Sequence, residues 1–188
     1  TVPGKTEDLQ DCMINRLVRL EPKTLLIHRL DRDTSGILVF GLSRWGQKSI
    51  SRQFQERQTD KTYQAIVAGH LDGQGTVDVP VIYDPSRPPL HIAEPSHNKP
   101  AVTEWKAIEH FEIQGQPVTR VALTPITGRS HQLRVHMQFL GHPIVGDTLY
   151  AAPDQQDLMP RLCLHAERLS FHHPQTNERI EFICPVPF

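Results

Sequence analysis

Residues 102–124 of the chain are VTEWKAIEHFEIQGQPVTRVALT. Two runs of alternating apolar and polar residues, 102–112 and 118–124, flank a short connection that contains Gln114, Gly115 and Gln116. Alternation with a period of two is typical of a strand with one buried face, and a short connection with glycine is typical of a hairpin. The stretch therefore predicts an antiparallel β-hairpin in a sheet that is at least partly antiparallel.

Further strands are predicted on both sides of this hairpin. The residues of KTYQAIVAG (61–69) alternate, which predicts another strand. Residues 24–28 and 36–42 are short apolar runs typical of buried strands. Residues 162–174 and 178–186 predict two more strands around a PQTN turn.

Three helices are predicted from apolar spacing and capping residues. Apolar residues recur at helical spacing over 8–20. Ser43 can cap a helix over about 44–57, and Ser130 can cap another that ends near Gly141. Helices and strands together indicate an α+β fold with a largely antiparallel sheet.

One long connection interrupts these elements. Residues 83–100 contain five prolines, which cannot donate hydrogen bonds to a strand ladder, so we expect a long surface loop there. The sequence contains no internal repeat and no linker that would divide it. Residues 1–188 are therefore expected to form a single domain.

Composition excludes several classes of protein. Hydrophobic residues make up 38% of the chain and charged residues 22%, which is typical of a globular domain rather than a disordered one. The apolar runs are far shorter than the roughly 18 residues that suggest a membrane span. Three cysteines without CxxC spacing predict neither disulfides nor a cysteine–zinc site, and they favour the cytoplasm.

The net charge of the chain further limits the functions that it can have. The formal net charge of −1 argues against a protein that binds polyanions with its whole surface, so any basic site must be local. One candidate is the segment 113–146, which holds no Asp or Glu. Its basic residues and histidines are Arg120, Arg129, Arg134, His131, His136 and His142. We expect this segment to face RNA or another anion.

The nine residues HRLDRDTSG (28–36) concentrate charge between two apolar strands. Four of them, Arg29, Asp31, Arg32 and Asp33, are charged at pH 7, and Gly36 can relax the backbone where the second strand begins. By residue type alone, the usual explanation of such a loop is a solvated turn with local ion pairs. Its place among other motifs favours a functional explanation.

Four segments together resemble the RluA-type family of RNA pseudouridine synthases. They are HRLDRDTSG (28–36), KTYQAIVAGHL (61–71), ITGRSHQLRVHMQFLGHPIVGDTLY (126–150) and LHAERLSFHHP (164–174). Several long motifs in the family's order, spread over nearly the whole chain, make the resemblance specific. It implies the pseudouridine synthase fold, in which a mixed, largely antiparallel sheet and a few helices flank a central active-site cleft.

The resemblance also implies roles for individual residues. Asp31 would be the catalytic carboxylate, acting either as a nucleophile or as a base, and Arg129 would be its basic partner. Tyr63 would present an aromatic face and a hydroxyl to a uracil that has left the RNA stack. Leu133 would form the apolar wall opposite, and Arg29 would help to extrude the nucleotide. Asp33, two residues beyond Asp31, is interpreted as structural.

Charge alone suggests phosphate contacts for Arg134, Lys48, Arg52 and Lys61, although each could equally be a solvated surface group. The implied substrate is structured RNA. PITGRSHQLRVHM and PRLCLHAE resemble the branch of the family that acts on large-subunit rRNA, with a tRNA anticodon stem-loop as a second candidate substrate.

Isomerisation gains no atoms, so no cofactor is expected. His131 and His136 lie about 140° apart on a helix and have no acidic cluster beside them, so no metal is expected either. A monomer is expected as well.

Two alternatives stay open at this point. A carboxylate-dependent N-glycosidase or nucleosidase would also break the bond between sugar and base, but it would need a second acid or base. A non-catalytic protein that binds or folds RNA could use the same cleft. Family members usually have a strand and a lysine–proline motif before the segment resembling TVPGKTEDL (1–9), so we expect the first strand of the fold and any accessory RNA-binding domain to be missing.

Overall fold

One seven-stranded sheet organises the fold. The computed structural model describes residues 1–4, 7 and 10–188. The helices are α1 (Met13–Leu20), α2 (Arg44–Gln55), α3 (Gln132–Phe139) and α4 (Pro153–Gln156). The strands are β1 (Leu25–Leu26), β2 (Ser35–Gly36), β3 (Phe40–Gly41), β4 (Asp60–Ala68), β5 (Gln74–Asp78), β6 (Val81–Tyr83), β7 (His91–Ala93), β8 (Val102–Ile113), β9 (Gln116–Pro125), β10 (Leu164–His172) and β11 (Arg179–Ile183).

The sheet is mixed but largely antiparallel, as predicted. Its strand order is β11-β10-β4-β9-β8-β5, and β2 joins it through a parallel pairing with β10. Two small sheets, β1 with β3 and β6 with β7, lie outside this order. The predicted hairpin is confirmed, because β8 and β9 pair antiparallel up to Ile113 and Gln116 at the turn. Among the described helices, none is long and apolar enough to cross a membrane.

The main core lies between the centre of this sheet and α3. Val67 on β4, Leu123 on β9, and Met137 on α3 are fully buried in one cluster with Ile144, which follows the helix. Each buried side chain of this size stabilises the fold by about 1.5–3 kcal/mol. Helix α3 is thereby held against the sheet.

Two strand predictions were only partly right. Of residues 24–28 and 36–42, only the short β1, β2 and β3 pair as strands, because the loop between them bends the chain away from an extended path. Residues 83–100 are not entirely a loop. His91, Ile92 and Ala93 pair with β6 across the predicted loop, because their segment lies between its prolines.

The helix ends also differ in part from the predictions. Helix α1 begins at Met13, not near residue 8, and Leu9 lies outside the described residues. Ser43 caps α2 as predicted, since its hydroxyl accepts a hydrogen bond from the Gly46 N–H at 3.1 Å. Ser130 is not the cap of α3, because His131 occupies that position in a left-handed conformation.

The contact between β2 and β10 requires glycine at residue 36. Gly36 has a φ of 109°, and a Cβ built on it would lie 2.2 Å from the carbonyl oxygen of Ala166. Both the conformation and the space therefore exclude a side chain. The Ile37 N–H donates to the same carbonyl oxygen at 2.9 Å, so this pairing holds the carboxyl end of the charged loop against the sheet.

We expect Gly36→Ala to lower the free energy of unfolding by roughly 3 kcal/mol or more, because the backbone clash cannot be relieved by a side-chain movement. Urea denaturation followed by circular dichroism measures this loss. Gly115→Ala is the matched control, since Gly115 also has a positive φ, 75°, but has nothing within 4 Å of its Cβ position. It should lose only about 1 kcal/mol. Equal losses in the two variants would contradict the close contact at Gly36.

Candidate active site

A cleft of about 650 Å³ lies where three distant segments of the chain meet. The segments are residues 27–34, 51–63 and 125–133, and Leu164 on β10 completes the lining. This volume is in the range of sites that bind small molecules or single nucleotides. Of the residues predicted to be functional, the cleft brings together Arg29, Asp31, Lys61, Tyr63, Arg129 and Leu133.

The central sheet sets the separation between the first two segments. Ala166 on β10 pairs with Tyr63 on one side and with Gly36 on the other. Adjacent strands lie about 4.8 Å apart, so Tyr63 and Gly36 are about two strand spacings apart. A β-bulge in β10 directly follows Ala166, and such bulges re-aim side chains beside functional sites.

The loop between β1 and β2 directs Asp31 into the cleft and the two residues that follow it out of the cleft. Leu30 is buried, and its N–H donates to the Thr1 hydroxyl at 2.9 Å. Arg32 and Asp33 line a second cavity on the other side of the loop. Asp33 therefore does not share the cleft with Asp31.

Hydrogen bonds from the opposite end of the chain hold the last part of this loop. The Ser35 hydroxyl bonds with the His165 Nδ1 at 2.8 Å and accepts a short hydrogen bond from Arg161. His165 Nε2 lies 3.1 Å from the Cys184 carbonyl oxygen, which links the loop to residues beyond β11. The backbone carrying Asp31 is thus anchored on both sides, at Leu30 and at Ser35.

Tyr63 and Leu133 form an apolar part of the cleft. Leu133 is 7% exposed and belongs to the main core, and Tyr63 packs against that core. Burial raises the pKa of the Tyr63 phenol well above its usual range, and the negative charge of Asp31 raises it further. Tyr63 therefore stays neutral, and its hydroxyl can donate a hydrogen bond.

Gln132 positions the loop that carries Arg129. Its buried Oε1 accepts hydrogen bonds from the Arg129 N–H at 3.0 Å and from the Thr127 hydroxyl at 2.7 Å. Its Nε2 donates to the Val102 carbonyl oxygen at 2.9 Å and to the Thr103 hydroxyl at 3.0 Å. One amide side chain thus ties the start of α3 to β8, and the predictions from sequence missed it.

Arg129 itself lies exposed at the edge of the cleft. Its Nε donates to the Pro100 carbonyl oxygen at 3.2 Å. Within the described part of the chain, it makes no ion pair with Asp31. Asp31 was predicted to be the partner of Arg129, but the two side chains are not in direct contact in this structure.

The prediction that Arg134 contacts an RNA phosphate is wrong. Arg134 is 2% exposed, and its Nε and Nη2 donate to Asp147 at 2.7 and 2.6 Å, so it cannot contact a phosphate at the surface. Burial disfavours the charged form of Arg134. This effect is outweighed by the hydrogen bonds to Asp147 and by the negative charges of Asp147 and Asp31, so the pKa of the guanidinium is raised. Arg134 is therefore a buried cation that is electrostatically coupled to Asp31.

The acid-free segment 113–146 is not one continuous RNA-facing patch, because only residues 125–133 of it line the cleft and several of its basic residues are buried or paired. His136 is fully buried between the Thr103 hydroxyl and the Val79 carbonyl oxygen. Arg120 approaches Glu109, at 3.7 Å, and His131 hydrogen-bonds the Tyr150 hydroxyl at 2.6 Å. Where the segment is packed in the core, its lack of acids is expected, because unpaired carboxylates are unfavourable there.

Positively charged side chains outnumber negatively charged ones in the lining of the cleft. Among the described lining residues, the cations are Arg29, Arg57, Lys61 and Arg129, and the single carboxylate is Asp31. Lys48 and Arg52 lie on the exposed side of α2, outside the lining, with Arg52 4.0 Å from Glu56. Arg57 was missed as a site residue, although its position four residues before Lys61 was a usable signal.

His28 lies at the start of the charged loop and is kept neutral. Its Nε2 accepts a hydrogen bond from the Val39 N–H at 3.0 Å, and its ring stacks on Phe54 with centroids 4.6 Å apart. Burial lowers the pKa of His28 to about 4, and the charge of Lys61 contributes. No group of three or more potential metal ligands occurs among the residues that the structure describes.

Comparison with known proteins decides the family of the chain. The model of the family described as RNA pseudouridylate synthase matches residues 2–139. This chain belongs to the RNA pseudouridylate synthase family. It is 44% identical to the dual-specificity RNA pseudouridine synthase RluA of Pasteurella multocida and 43% identical to that of Escherichia coli K12. Both alignments cover 100% of the chain and 85% of the relative.

Solved structures of the family share the fold. Human RNA pseudouridylate synthase domain containing 1 superposes with a TM-score of 0.83 at 34% identity, over 95% of this chain and 77% of the human one. Human RNA pseudouridylate synthase domain containing 4 superposes with a TM-score of 0.68 at 27% identity, over 87% and 72%. The chain is thus an RNA pseudouridine synthase, which isomerises uridine to pseudouridine in RNA.

We expect the His28 ring protons to titrate with a midpoint near pH 4 in the folded protein, measured by NMR and assigned by their loss in His28→Gln. Because the pKa of His28 is lowered on folding, its contribution to stability is fully present above about pH 6.5. That contribution is lost progressively as the pH falls towards 4. His28→Gln should therefore reduce the loss of stability between pH 6.5 and 4. A midpoint near 6.5 would show that His28 is not buried as described.

Proposed function

We propose that Asp31 is the catalytic carboxylate of this RNA pseudouridine synthase. The observation that carries the proposal is that Asp31 is the single carboxylate among the described residues lining a cleft with four cations. Breaking the bond between the sugar and N1 of uracil needs an ionised carboxylate near the sugar, and surrounding positive charge favours that form. The anchored loop backbone supplies the fixed position that such chemistry needs.

Tyr63 is proposed to hold the uracil after it leaves the RNA stack. The ring packs on the main core, so it offers a fixed aromatic face, and Leu133 adds an apolar wall in the same cleft. The reaction detaches the base at N1, rotates it, rejoins it through C5 and releases the C5 proton. A rigid apolar floor keeps the detached base in place during that rotation.

Two arginines are proposed to act on Asp31 in different ways. Arg134 is fixed by Asp147 and provides a buried positive charge that does not move when RNA binds. Arg129 is exposed at the edge of the cleft, so its guanidinium can approach Asp31 or the substrate when RNA displaces it from Pro100. The partner role first assigned to Arg129 alone is therefore shared with Arg134.

Arg29 is proposed to fill or stabilise the gap that the extruded nucleotide leaves in the RNA. Its side chain is exposed at the edge of the cleft, two residues before Asp31. A planar guanidinium can stack on the exposed base and hydrogen-bond a phosphate at the same time. Lys61 in the cleft and Lys48 and Arg52 on the exposed side of α2 would extend the contact with the RNA backbone.

The proposed substrates are stem-loops of large-subunit rRNA and of tRNA. Support comes from the relatives at 43–44% identity, which are named as dual-specificity enzymes. Isomerisation transfers no electrons and adds no atoms, so we propose that neither a redox cofactor nor a metal takes part.

The N-glycosidase alternative is disfavoured by the position of Asp33. Hydrolysis by a carboxylate pair requires two acids on one site, about 5–9.5 Å apart. Asp33 lines the second cavity, on the other side of the loop from the cleft. With Asp31 as the single acid among the described lining residues, the site suits an isomerisation in which no water is activated.

We expect Asp31→Asn to reduce tritium release from RNA containing [5-³H]uridine by about a thousandfold or more, because the amide can neither attack the sugar nor accept a proton. The matched control is Asp33→Asn, which removes a carboxylate two residues away in the same loop. It should keep activity within a few fold of wild type. Release by Asp31→Asn at the wild-type rate would remove Asp31 from the central role.

We expect pseudouridine mapping of total RNA, treated with the purified protein or with Asp31→Asn, to show new sites in large-subunit rRNA and in a tRNA anticodon stem-loop. The same total RNA mapped without added protein identifies the pseudouridines already present, so that only new sites are counted. New sites confined to other RNAs would contradict the proposed substrates while leaving the isomerase activity in place.

A further inference from the structure

Arg57 has a backbone conformation that is unfavourable for arginine. Helix α2 ends with two hydrogen bonds, from the Gln58 N–H to the Gln53 carbonyl oxygen at 2.8 Å and from the Arg57 N–H to the Phe54 carbonyl oxygen at 3.4 Å. This helix-ending motif requires a left-handed residue at position 57, where glycine is the usual choice. Arg57 adopts it with a φ of 59°. An arginine at such a position implies that its side chain has a use.

The side chain of Arg57 lies beside a second cation. Arg57 and Lys61 both line the cleft, and burial together with the charge of Arg57 lowers the pKa of Lys61. Neither residue makes an ion pair within the described ranges of the chain. Glu56, the neighbouring acid, lies instead towards Arg52, at 4.0 Å. Two like charges are thus held together on one wall of the cleft without a compensating carboxylate.

Phe54 holds Lys61 in place and is not free to stack on a base. The Lys61 ammonium lies 5.9 Å from the centre of the Phe54 ring, and His28 stacks on the same ring. His28 is neutral, because its Nε2 already accepts the Val39 N–H, so it adds no charge. The ligand that suits this wall is therefore an anion, not an aromatic base.

We propose that Arg57 and Lys61 form a subsite for an RNA backbone phosphate next to the extruded uridine. The inference rests on the proposed function, because RNA must enter the cleft for the phosphate to be there. A phosphate would compensate the two cations and accept hydrogen bonds from both. It would fix the RNA backbone on the α2 side of the cleft, while Arg29 and Arg129 contact the RNA from the other two segments.

The test is the salt dependence of RNA binding, measured by fluorescence anisotropy with a labelled synthetic tRNA anticodon stem-loop. We expect Arg57→Gly and Lys61→Gln each to weaken binding by about five- to tenfold near 0.1 M salt. Each should also reduce the slope of log K against log salt by about one. Lys106→Gln, which removes an exposed cation of β8 outside the cleft, should change neither quantity.

Thermal unfolding separates this role from a structural one. Glycine relieves the left-handed conformation at position 57, so Arg57→Gly should have a melting temperature equal to or above that of wild type while its affinity falls. Unchanged affinity and slope in both variants would overturn the subsite, provided that the wild type releases tritium from the same RNA. Absence of tritium release by the wild type would instead count against the proposed function.

Discussion

The parallel pairing of Ser35–Gly36 with His165–Ala166 is the contact on which the active site depends. It joins the end of the charged loop to a strand about 130 residues later, and the next strand in the sheet carries Tyr63. The pairing is possible only because residue 36 has no side chain. Catalytic geometry is therefore set by backbone hydrogen bonds of the sheet, which are stiffer than contacts between flexible side chains.

Positive charge is concentrated at the cleft in this protein. The whole chain has a formal net charge of −1, yet the described lining of the cleft has four cations and one carboxylate. Acids are mostly kept elsewhere, as with Asp33 in the second cavity and Asp147 in its buried pair with Arg134. Such a distribution attracts RNA to one surface and avoids the nonspecific binding of a uniformly basic protein.

Much of the fold and site could be predicted from sequence because the signals were local. Alternation predicted the β8–β9 hairpin, and the motifs placed Asp31 and Tyr63 in one cleft. The errors arose where contacts between distant parts of the chain determine whether a segment forms a strand or whether a side chain is buried. His91–Ala93 form a strand because β6 is available to pair with them, and Arg134 is buried because Asp147 lies opposite it. Residue type alone could not separate Arg134 from an exposed cation such as Arg129.

The loop that carries Asp31 also acts as a partition between two cavities. Arg29 and Asp31 lie on one side of it, and Arg32 and Asp33 on the other. Because both ends of the loop are anchored, at Leu30 and at Ser35, inserting or deleting one residue between them would displace Asp31 from its position in the cleft. Loop length is therefore as strictly constrained as residue identity, whereas the tip of the β8–β9 hairpin, where a Cβ on Gly115 would meet nothing, can vary in length.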